Sequence, residues 1–311
     1  MKDNFNRQIG YLRISLTTAC NLNCVYCGVG KDVAPALSDD QLVQLVTTAV
    51  GLGLTAVRLT GGEPLLRPGA VELIERLKAI TGLRSLTMTT NGLLLEKMAP
   101  ALKGAGLDGL NISLDSCNKG RYRLLTGGGS LNKALAGIRA ACSCGLPVKL
   151  NAVALEGIKE DLPALLAFAR ENGLPLRFIE LMPLGCNQRL KGPTGAEIRQ
   201  YLEAGGYTLT PLRATYGLGP AVYYRLQETN QPLGFIEPMG NCFCSSCNRL
   251  RLTAQGQLRP CLYSNQGVDL LPYLHQGQPL REAFIKAIAM KPQQHYFQQE
   301  PGSFAMGKIG G

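Results

Sequence analysis

The chain has 311 residues and a formal net charge of +10, with 45% hydrophobic and 17% charged residues. No apolar run reaches the roughly 18 residues of a membrane-spanning helix, so a membrane protein is excluded and a soluble one is expected. The first residues, "MKDNFNRQIG", lack the pattern of a secretory signal, which makes a reducing cytoplasm the expected compartment. The charge favours anionic partners, although a solvated basic surface would produce the same value.

Short β-rich runs alternate with helical patterns through the first two thirds of the chain. The predicted strands are 11–17, 56–60, 84–90, 110–115, 148–155 and 176–182. Ser38 caps a first helix that stops at Gly51 and Gly53, and further helices are predicted at 69–80, 93–104, 130–143, 159–172 and 194–203.

This alternation predicts an α/β fold with a parallel sheet, because parallel neighbours need long crossover connections. Six units suit a partial (β/α)6 TIM-like barrel over residues 1–205. In such folds the ligand site lies at the carboxyl ends of the strands. After residue 205 the pattern changes to short extended pieces, including a hairpin that turns near Gly256, so 206–311 is predicted to be a smaller second module.

Three cysteines stand close together directly after the first predicted strand. Cys20, Cys24 and Cys27 are spaced C-x3-C-x2-C. In a reducing compartment such a cluster indicates metal or iron–sulfur ligation rather than disulfides. A structural zinc site needs four ligands and finds only three here. Three thiolates on a 4Fe–4S cube would instead leave one iron open to a small molecule.

The glycine loop "GGEP" follows the second predicted strand. Gly61 and Gly62 would allow a backbone edge to come close to a ligand. Tyr26, inside the cysteine triplet, is either an aromatic contact for an adenine or a packed loop residue.

A second cysteine set lies far downstream. Cys244, Cys247 and Cys261 form a C-x2-C-x13-C pattern around the predicted hairpin, and Cys242 as a fourth ligand would make a zinc ribbon. Arg249 and Arg251 alternate along one strand, so they share a face on which a nucleotide could lie. A solvated basic strand edge is the simpler interpretation of that pair.

Several of these segments together resemble one family. The first triplet resembles the signature of radical S-adenosylmethionine (SAM) enzymes. With "GGEP", "TGGGSL", "RFIELM", "CNRLRLTAQGQLRPCL" and the final "IGG", the chain resembles, over nearly its whole length, the GTP 3′,8-cyclases of molybdenum cofactor biosynthesis. The resemblance implies two 4Fe–4S clusters facing one cavity. The first, on Cys20, Cys24 and Cys27, cleaves SAM to a 5′-deoxyadenosyl radical, and the second, on Cys244, Cys247 and Cys261, binds the guanine of GTP.

The resemblance also implies residue roles. The implied GTP contacts are Arg13, Arg58, Thr89, Lys149, Arg177, Arg249 and Arg251. The implied SAM contacts are Tyr26, Gly61, Gly62, Glu63, Ser113 and Met182. The resemblance also implies that Gly310 and Gly311 insert toward the active site. The residues that it implies to be catalytic are Cys20, Cys24, Cys27, Arg249, Arg251, Gly310 and Gly311. The remaining cysteines, which are Cys117, Cys142, Cys144, Cys186 and Cys242, are interpreted as packed thiols.

The implied reaction converts GTP to (8S)-3′,8-cyclo-7,8-dihydro-GTP. The implied partners are the cyclic pyranopterin monophosphate synthase accessory protein and an electron donor such as flavodoxin or ferredoxin, with no membrane and no nucleic acid; a homodimer is compatible. Two alternatives stay open: a radical SAM enzyme that modifies a peptide, and a zinc-bearing nucleic-acid-binding protein suggested by the charge and C-x2-C.

Overall fold

The computed structural model describes residues 1–28, 37–213, 216–276, 278–297, 299 and 309, without the side chain of Cys186. These residues form one twelve-stranded sheet. The first six strands are β1 (Tyr11–Ser15), β2 (Ala56–Thr60), β3 (Ser85–Thr90), β4 (Gly109–Ser113), β5 (Val148–Ala154) and β6 (Leu176–Glu180). The others are β7 (Leu209–Leu212), β8 (Val222–Leu226), β9 (Gln231–Ile236), β10 (Arg249–Leu252), β11 (Gln257–Arg259) and β12 (Val268–Asp269).

Helices cover the outer side of the sheet. In chain order they are α1 (Asp39–Gly51), α2 (Ala70–Lys78), α3 (Leu95–Gly104), α4 (Lys119–Leu125), α5 (Leu131–Ser143), α6 (Ile158–Glu171), α7 (Gly195–Ala204), α8 (Leu271–His275) and α9 (Leu280–Ala289). The predicted capping of the first helix is confirmed, because the Ser38 hydroxyl accepts from the Gln41 amide and the Gln41 side chain accepts from the Ser38 amide.

The six predicted strands pair in sequence order as a parallel sheet, which confirms the α/β partial-barrel expectation. Side chains alternate between the two faces of each strand. On β1, Leu12 and Ile14 are fully buried in the hydrophobic core, whereas Tyr11 and Arg13 line the interior cavity. The pattern therefore puts aliphatic side chains under the helices and polar ones inside the barrel.

The C-terminal strands continue the same sheet at both edges. Strand β10 pairs in parallel with β1, and β9 pairs in parallel with β6. The predicted hairpin is confirmed as β10 and β11, with Gly256 at a φ of 87° in the turn. Both edges of the partial barrel are thus extended by the C-terminal part, and this brings Arg249 and Arg251 next to the first strand.

Three helices of the structure, α4, α8 and α9, were not predicted from the sequence. Helix α4 was not predicted, because its seven residues bury only Tyr122 and Leu125 and carry little periodicity. Helix α9 was also not predicted, because the C-terminal third was interpreted as short extended pieces. Its buried residues nevertheless follow helical spacing: Leu280, Ala283, Phe284, Ala287 and Ile288. Among the described residues, no helix combines the length and the apolar character needed to cross a membrane.

Candidate active site

One large cavity lies at the carboxyl ends of the parallel strands. Its volume is about 2100 Å³ when the open mouth is included. Both cysteine sets line it: Cys20, Cys24, Cys27, Cys244, Cys247 and Cys261. The strand topology therefore brings together two triplets that are more than 200 residues apart in sequence.

The loop that carries the first triplet is held by the segment that follows α4. The Asn23 amide donates to the Thr126 carbonyl at 3.0 Å, and the Val25 amide donates to the Leu125 carbonyl at 2.9 Å. Gly127 has a φ of 64°, and a Cβ there would lie 2.5 Å from the Asn23 carbonyl oxygen. The "TGGGSL" segment thus supports the cysteine loop through contacts that only glycine permits.

We expect Gly127→Ala to displace the cysteine loop and to lower retention of the first cluster. A residue held in this strained conformation costs about 1–3 kcal/mol before the clash is added. Iron after anaerobic reconstitution should fall toward about four per chain, and SAM cleavage should fall with it. Gly145→Ala is the matched control, because Gly145 has a φ of 74° with nothing within 4 Å of a Cβ. Equal iron contents in the two variants would contradict the supporting role.

The glycine loop after β2 packs against the start of the cysteine loop. The Gly62 amide donates to the Thr17 carbonyl at 2.8 Å, and a Cβ at Gly62 would lie 2.3 Å from the Ala19 carbonyl oxygen. Gly61 and Gly62 both line the cavity. The sequence predicted glycine here because a ligand could then come close to the backbone. The structure adds a second reason, since the backbone of residues 17–19 lies too close for a larger side chain.

Glu63 does not appear among the described residues that line the cavity, in contrast to the direct SAM contact expected from the sequence. Its carboxylate accepts hydrogen bonds from the Thr90 hydroxyl at 2.7 Å and from the backbone amides of Asn91 and Leu65. Burial raises the pKa of Glu63 to about 7, against the lowering effect of these hydrogen bonds. The geometry makes it a brace between the glycine loop and the end of β3.

Tyr26, Ser113 and Met182 all line the cavity near the first triplet. The Tyr26 hydroxyl donates to the Asp115 carboxylate at 2.7 Å, and the Val153 amide donates to the same carboxylate at 2.9 Å. Burial raises the pKa of Asp115 to about 6. The tyrosine is therefore anchored at its polar end, with its ring at the cavity wall.

Three arginines form a row across neighbouring parallel strands. Arg13 on β1 lies opposite Arg58 on β2 and opposite Arg251 on β10, and all three line the cavity. Burial, and then repulsion from Arg251 and Arg58, lowers the pKa of Arg13 well below its usual range. Burial, and then the charge of Arg249, lowers the pKa of Arg251 to about 10. A cavity wall that gathers several like charges attracts ligands of the opposite charge, so this arginine row predicts a polyanionic ligand.

Further polar groups line the same cavity. Thr89 Oγ1, Asn151 Oδ1 and Arg177 Nε are buried and have no hydrogen-bond partner within the described part of the chain. Unsatisfied buried polar atoms are rare and point to a polar ligand. Lys149 is the exception among the expected GTP contacts, since it does not line the described cavity wall and a Cβ on Gly217 would lie 3.3 Å from its Nζ. Burial lowers its pKa to about 8, with Arg177 and Arg58 adding to the effect.

The second cysteine set lies in a cationic environment. Burial would raise the pKa of Cys247, but the charges of Arg249 and Lys291 lower it to about 6. Lys291 is only 3% exposed, and its Nζ donates to Cys247 Sγ at 3.6 Å and to the carbonyls of Arg249 and Pro260 at 2.8 Å each. All three ammonium protons are used at this site. Cys247 is therefore a thiolate at neutral pH, the form that binds metal.

The first triplet has the opposite electrostatic character. Burial raises the pKa of Cys24, and the negative charges of Asp115, Cys27 and Cys20 raise it further. Without a cation, Cys24 stays a thiol at neutral pH. Three thiolates here therefore need the positive charge of a bound cluster.

We expect the two cysteine sets to differ in reactivity toward iodoacetamide in cluster-free protein. At pH 7 Cys247 is mostly thiolate and Cys24 is almost entirely thiol, so Cys247 should be alkylated about tenfold faster or more. Raising the pH to 9 should accelerate Cys24 and change Cys247 little, because the thiolate fraction of Cys247 is already near its maximum. Peptide mass mapping after short exposures measures both rates. Equal rates at pH 7 would contradict the assignment.

The remaining predicted residues have mixed outcomes. Cys117, Cys142 and Cys144 pack against the hydrophobic core as expected. Cys242 is exposed, so its interpretation as a packed thiol was wrong. Gly310, Gly311 and the Cys186 side chain lie outside the described residues.

Lys291 is the functional residue that the sequence did not indicate. It stands in a polar stretch after α9 and resembles any solvated lysine in sequence. The sequence did not indicate a role for Asp115 either, apart from its position directly after β4. Both act on cysteines or aromatics that are distant in sequence, which is why sequence spacing could not reveal them.

Comparisons with known proteins agree with this arrangement. The family model of the Radical SAM superfamily matches residues 14–169, and that of Molybdenum Cofactor Synthesis C matches residues 174–297. The GTP 3′,8-cyclase of Thermodesulfovibrio yellowstonii is 43% identical over 306 residues, covering 94% of this chain and 95% of that one. The GTP 3′,8-cyclase of Moorella thermoacetica is also 43% identical, over 329 residues and the full length of both chains.

The chain belongs to the GTP 3′,8-cyclase family. Among solved structures, Streptococcus suis SuiB bound to S-adenosylmethionine has a TM-score of 0.67 at 17% identity, covering 89% of this chain and 68% of that one. SuiB bound to the precursor peptide SuiA has a TM-score of 0.66 at 15% identity, covering 97% and 76%. At these identities the likeness shows the fold alone, that of the radical SAM core.

Radical SAM proteins use SAM and a 4Fe–4S cluster, and the first site of this family member fits both. Three thiols, Cys20, Cys24 and Cys27, converge on a cavity wall, and burial raises the pKa of both Cys20 and Cys24. The cavity beside them is lined by the glycine loop and by an anchored aromatic ring.

Proposed function

We propose that this protein is a GTP 3′,8-cyclase that converts GTP to (8S)-3′,8-cyclo-7,8-dihydro-GTP, the first step of molybdenum cofactor biosynthesis. The observation that carries the proposal is one cavity that is lined both by two cysteine triplets and by a row of arginines on neighbouring strands. A radical source and a polyanionic nucleotide can be held there side by side. The names and coverage of the relatives support the same activity.

The first triplet and its surroundings would hold the radical source. Cys20, Cys24 and Cys27 would bind a 4Fe–4S cluster, and Tyr26, Gly61, Gly62, Ser113 and Met182 would line the SAM site. When bound, the reduced cluster and SAM supply a carbon radical that removes a hydrogen atom from ribose C3′. The contribution of Glu63 is to hold the glycine loop in place through Thr90 and Asn91.

The arginine row would bind the triphosphate. Arg13, Arg58 and Arg251 are placed side by side, and a phosphate chain would relieve their mutual repulsion. Arg249, Arg177, Thr89 and Lys149 would complete the GTP site. Fixing the ribose and the base relative to each other lets the C3′ radical attack guanine C8 instead of reacting with solvent.

The second triplet would bind an auxiliary 4Fe–4S cluster through Cys244, Cys247 and Cys261, with the guanine on its open iron. The cationic charges beside Cys247 stabilise the thiolate that such binding requires. Gly310 and Gly311 would approach this chamber from the chain end. We place the functional boundary near residue 205, since βα alternation gives way there to the antiparallel strands β7, β8 and β9, and the triplet follows in the segment around β10 and β11.

The decisive experiment is an anaerobic incubation of the reconstituted protein with GTP, SAM and reductant. Mass analysis should find 5′-deoxyadenosine and a GTP isomer in similar amounts. Iron analysis should give about eight irons per chain if both triplets carry clusters. SAM cleavage with unchanged GTP and about four irons would contradict the proposal.

We expect Arg251→Ala to weaken GTP binding. Loss of a charge-assisted hydrogen bond from a buried site corresponds to about 1.5–3 kcal/mol, or roughly a 10- to 160-fold rise in Kd. Arg225→Ala is the control, because Arg225 also lies on a strand but bonds Asn230 and does not line the described cavity. Equilibrium dialysis with labelled GTP measures both. Unchanged affinity in Arg251→Ala would remove this residue from the site.

The similarity in fold to SuiB favours the alternative function, modification of a peptide. The arginine row argues against it, because a peptide substrate gives no reason to place several cations together in the cavity. In the cell, the cyclic pyranopterin monophosphate synthase accessory protein would receive the product. A flavodoxin or ferredoxin would supply electrons, and the protein would work in the cytoplasm without nucleic acid or membrane, as a monomer or a homodimer.

A further inference from the structure

A second group of metal-ligating side chains, only one of which belongs to an assigned triplet, lies beside the cavity. The sulfurs of Cys242 and Cys244 and a ring nitrogen of His295 all lie within 4.8 Å of one another. Cys242 and His295 have no role in the proposed reaction. Cys244 also belongs to the second triplet.

The spacing of these donor atoms suits a single ion. Zinc–sulfur bonds of about 2.3 Å at tetrahedral angles put two sulfurs roughly 3.8 Å apart, which small side-chain movements would reach from the observed spacing. A four-iron cube separates its cysteines more widely than a single ion does. The cluster of Cys242, Cys244 and His295 therefore has the dimensions of a mononuclear site.

The histidine is oriented for metal binding. Its Nε2 lies 2.8 Å from the Pro238 carbonyl oxygen, which accepts only, so Nε2 carries the proton. Nδ1 therefore keeps its lone pair, and this buried atom has no hydrogen-bond partner in the described part of the chain. A backbone carbonyl on the far nitrogen is the usual support of a metal-binding histidine. The ring also packs on Phe297 with centroids 4.8 Å apart, which holds its direction.

We propose that Cys242, Cys244 and His295 bind one divalent cation of the zinc type, and that this ion competes with the second cluster for Cys244. The exposed Cys242 gives the ion a route from solvent. Water completes the fourth position. Because the proposed second cluster also uses Cys244, an ion bound here would take one of the three protein ligands of that cluster.

Cobalt binding to the reduced, cluster-free full chain tests the site, because tetrahedral Co²⁺ with thiolate ligands absorbs strongly in the visible range. Cys242→Ser and His295→Gln should each weaken one tight Co²⁺ site about tenfold or more, since loss of a supporting residue alone weakens metal sites 10- to 100-fold. Gln at 295 can still donate to the Pro238 carbonyl. Cys247→Ser is the matched control and should retain the site, because Cys247 is outside this group of three.

The outcomes separate this site from the second triplet. Bands that survive Cys242→Ser and His295→Gln but disappear in Cys247→Ser would overturn the proposal, and so would equal loss in all three variants. A second measurement uses zinc directly. One equivalent of Zn²⁺ added before reconstitution should lower iron from about eight to about four per chain, and Cys242→Ser should abolish this effect. Neither readout requires GTP turnover, so the inference can fail while the proposed function stands.

Discussion

Cys24→Ala is expected to reduce SAM cleavage to background, whereas Cys261→Ala is expected to keep SAM cleavage and lose GTP conversion. In the proposed assignment each substitution leaves its cluster with two protein ligands, too few to hold it in place. The two triplets lie near opposite ends of the sequence and have different neighbouring residues. Substitution of a cysteine in one triplet should therefore leave the other triplet intact. Measurement of 5′-deoxyadenosine and of the cyclised nucleotide in the same anaerobic reaction separates the two effects.

Iron analysis distinguishes cluster loss from unfolding in these variants. If the unaltered protein carries the two proposed clusters, and so about eight irons per chain, each variant should retain about four. Cys144→Ala serves as the control, because Cys144 packs against the core and is outside the described cavity wall. Equal loss of both activities in Cys24→Ala and Cys261→Ala, with the control unaffected, would argue against separate roles for the triplets.

Under the proposed two-cluster assignment, Lys291→Met is expected to lose the second cluster and GTP conversion while SAM cleavage continues. The substitution leaves the carbonyls of Arg249 and Pro260 without their donor, and each unsatisfied buried acceptor costs about 1–3 kcal/mol. It also removes one of the charges that lower the pKa of Cys247. Iron content and the two product assays report the first effect.

A pH profile of Cys247 alkylation in cluster-free protein separates electrostatics from simple packing. In Lys291→Met the profile should move to higher pH, because less positive charge stabilises the thiolate. Lys286→Met is the control on α9, since Lys286 is exposed and donates to the Tyr273 hydroxyl away from the cysteines. A profile that stays in place in Lys291→Met would show that the lysine acts only on the backbone.

The electrostatic contrast between the triplets gives these predictions a common basis. Cys24 faces Asp115 and two further thiols, whereas Cys247 faces Arg249 and Lys291. The first site therefore depends on its metal for charge balance, and the second has part of that balance built into the protein. We expect the cysteines of the first set to remain protonated until iron binds. In the second set, we expect Cys247 to be deprotonated before iron binds.

The sequence by itself determined the local features of this protein. Each of the six βα units could be predicted, because strands and helices follow from side-chain periodicity and capping within about a dozen residues. The spacing of Cys20, Cys24 and Cys27 indicated a cluster with an open iron for the same reason, since all three ligands share one loop. The resemblance of several short motifs then pointed to the right family.

Only the tertiary structure decided how distant segments combine. The row of Arg251, Arg13 and Arg58 arises because β10 pairs with β1 from the far end of the chain. Gly62 is required by the close approach of the Ala19 carbonyl, and Lys291 reaches Cys247 across 44 residues of sequence. Strand pairing, burial and charge between remote segments depend on three-dimensional distance, which neither periodicity nor motif spacing contains.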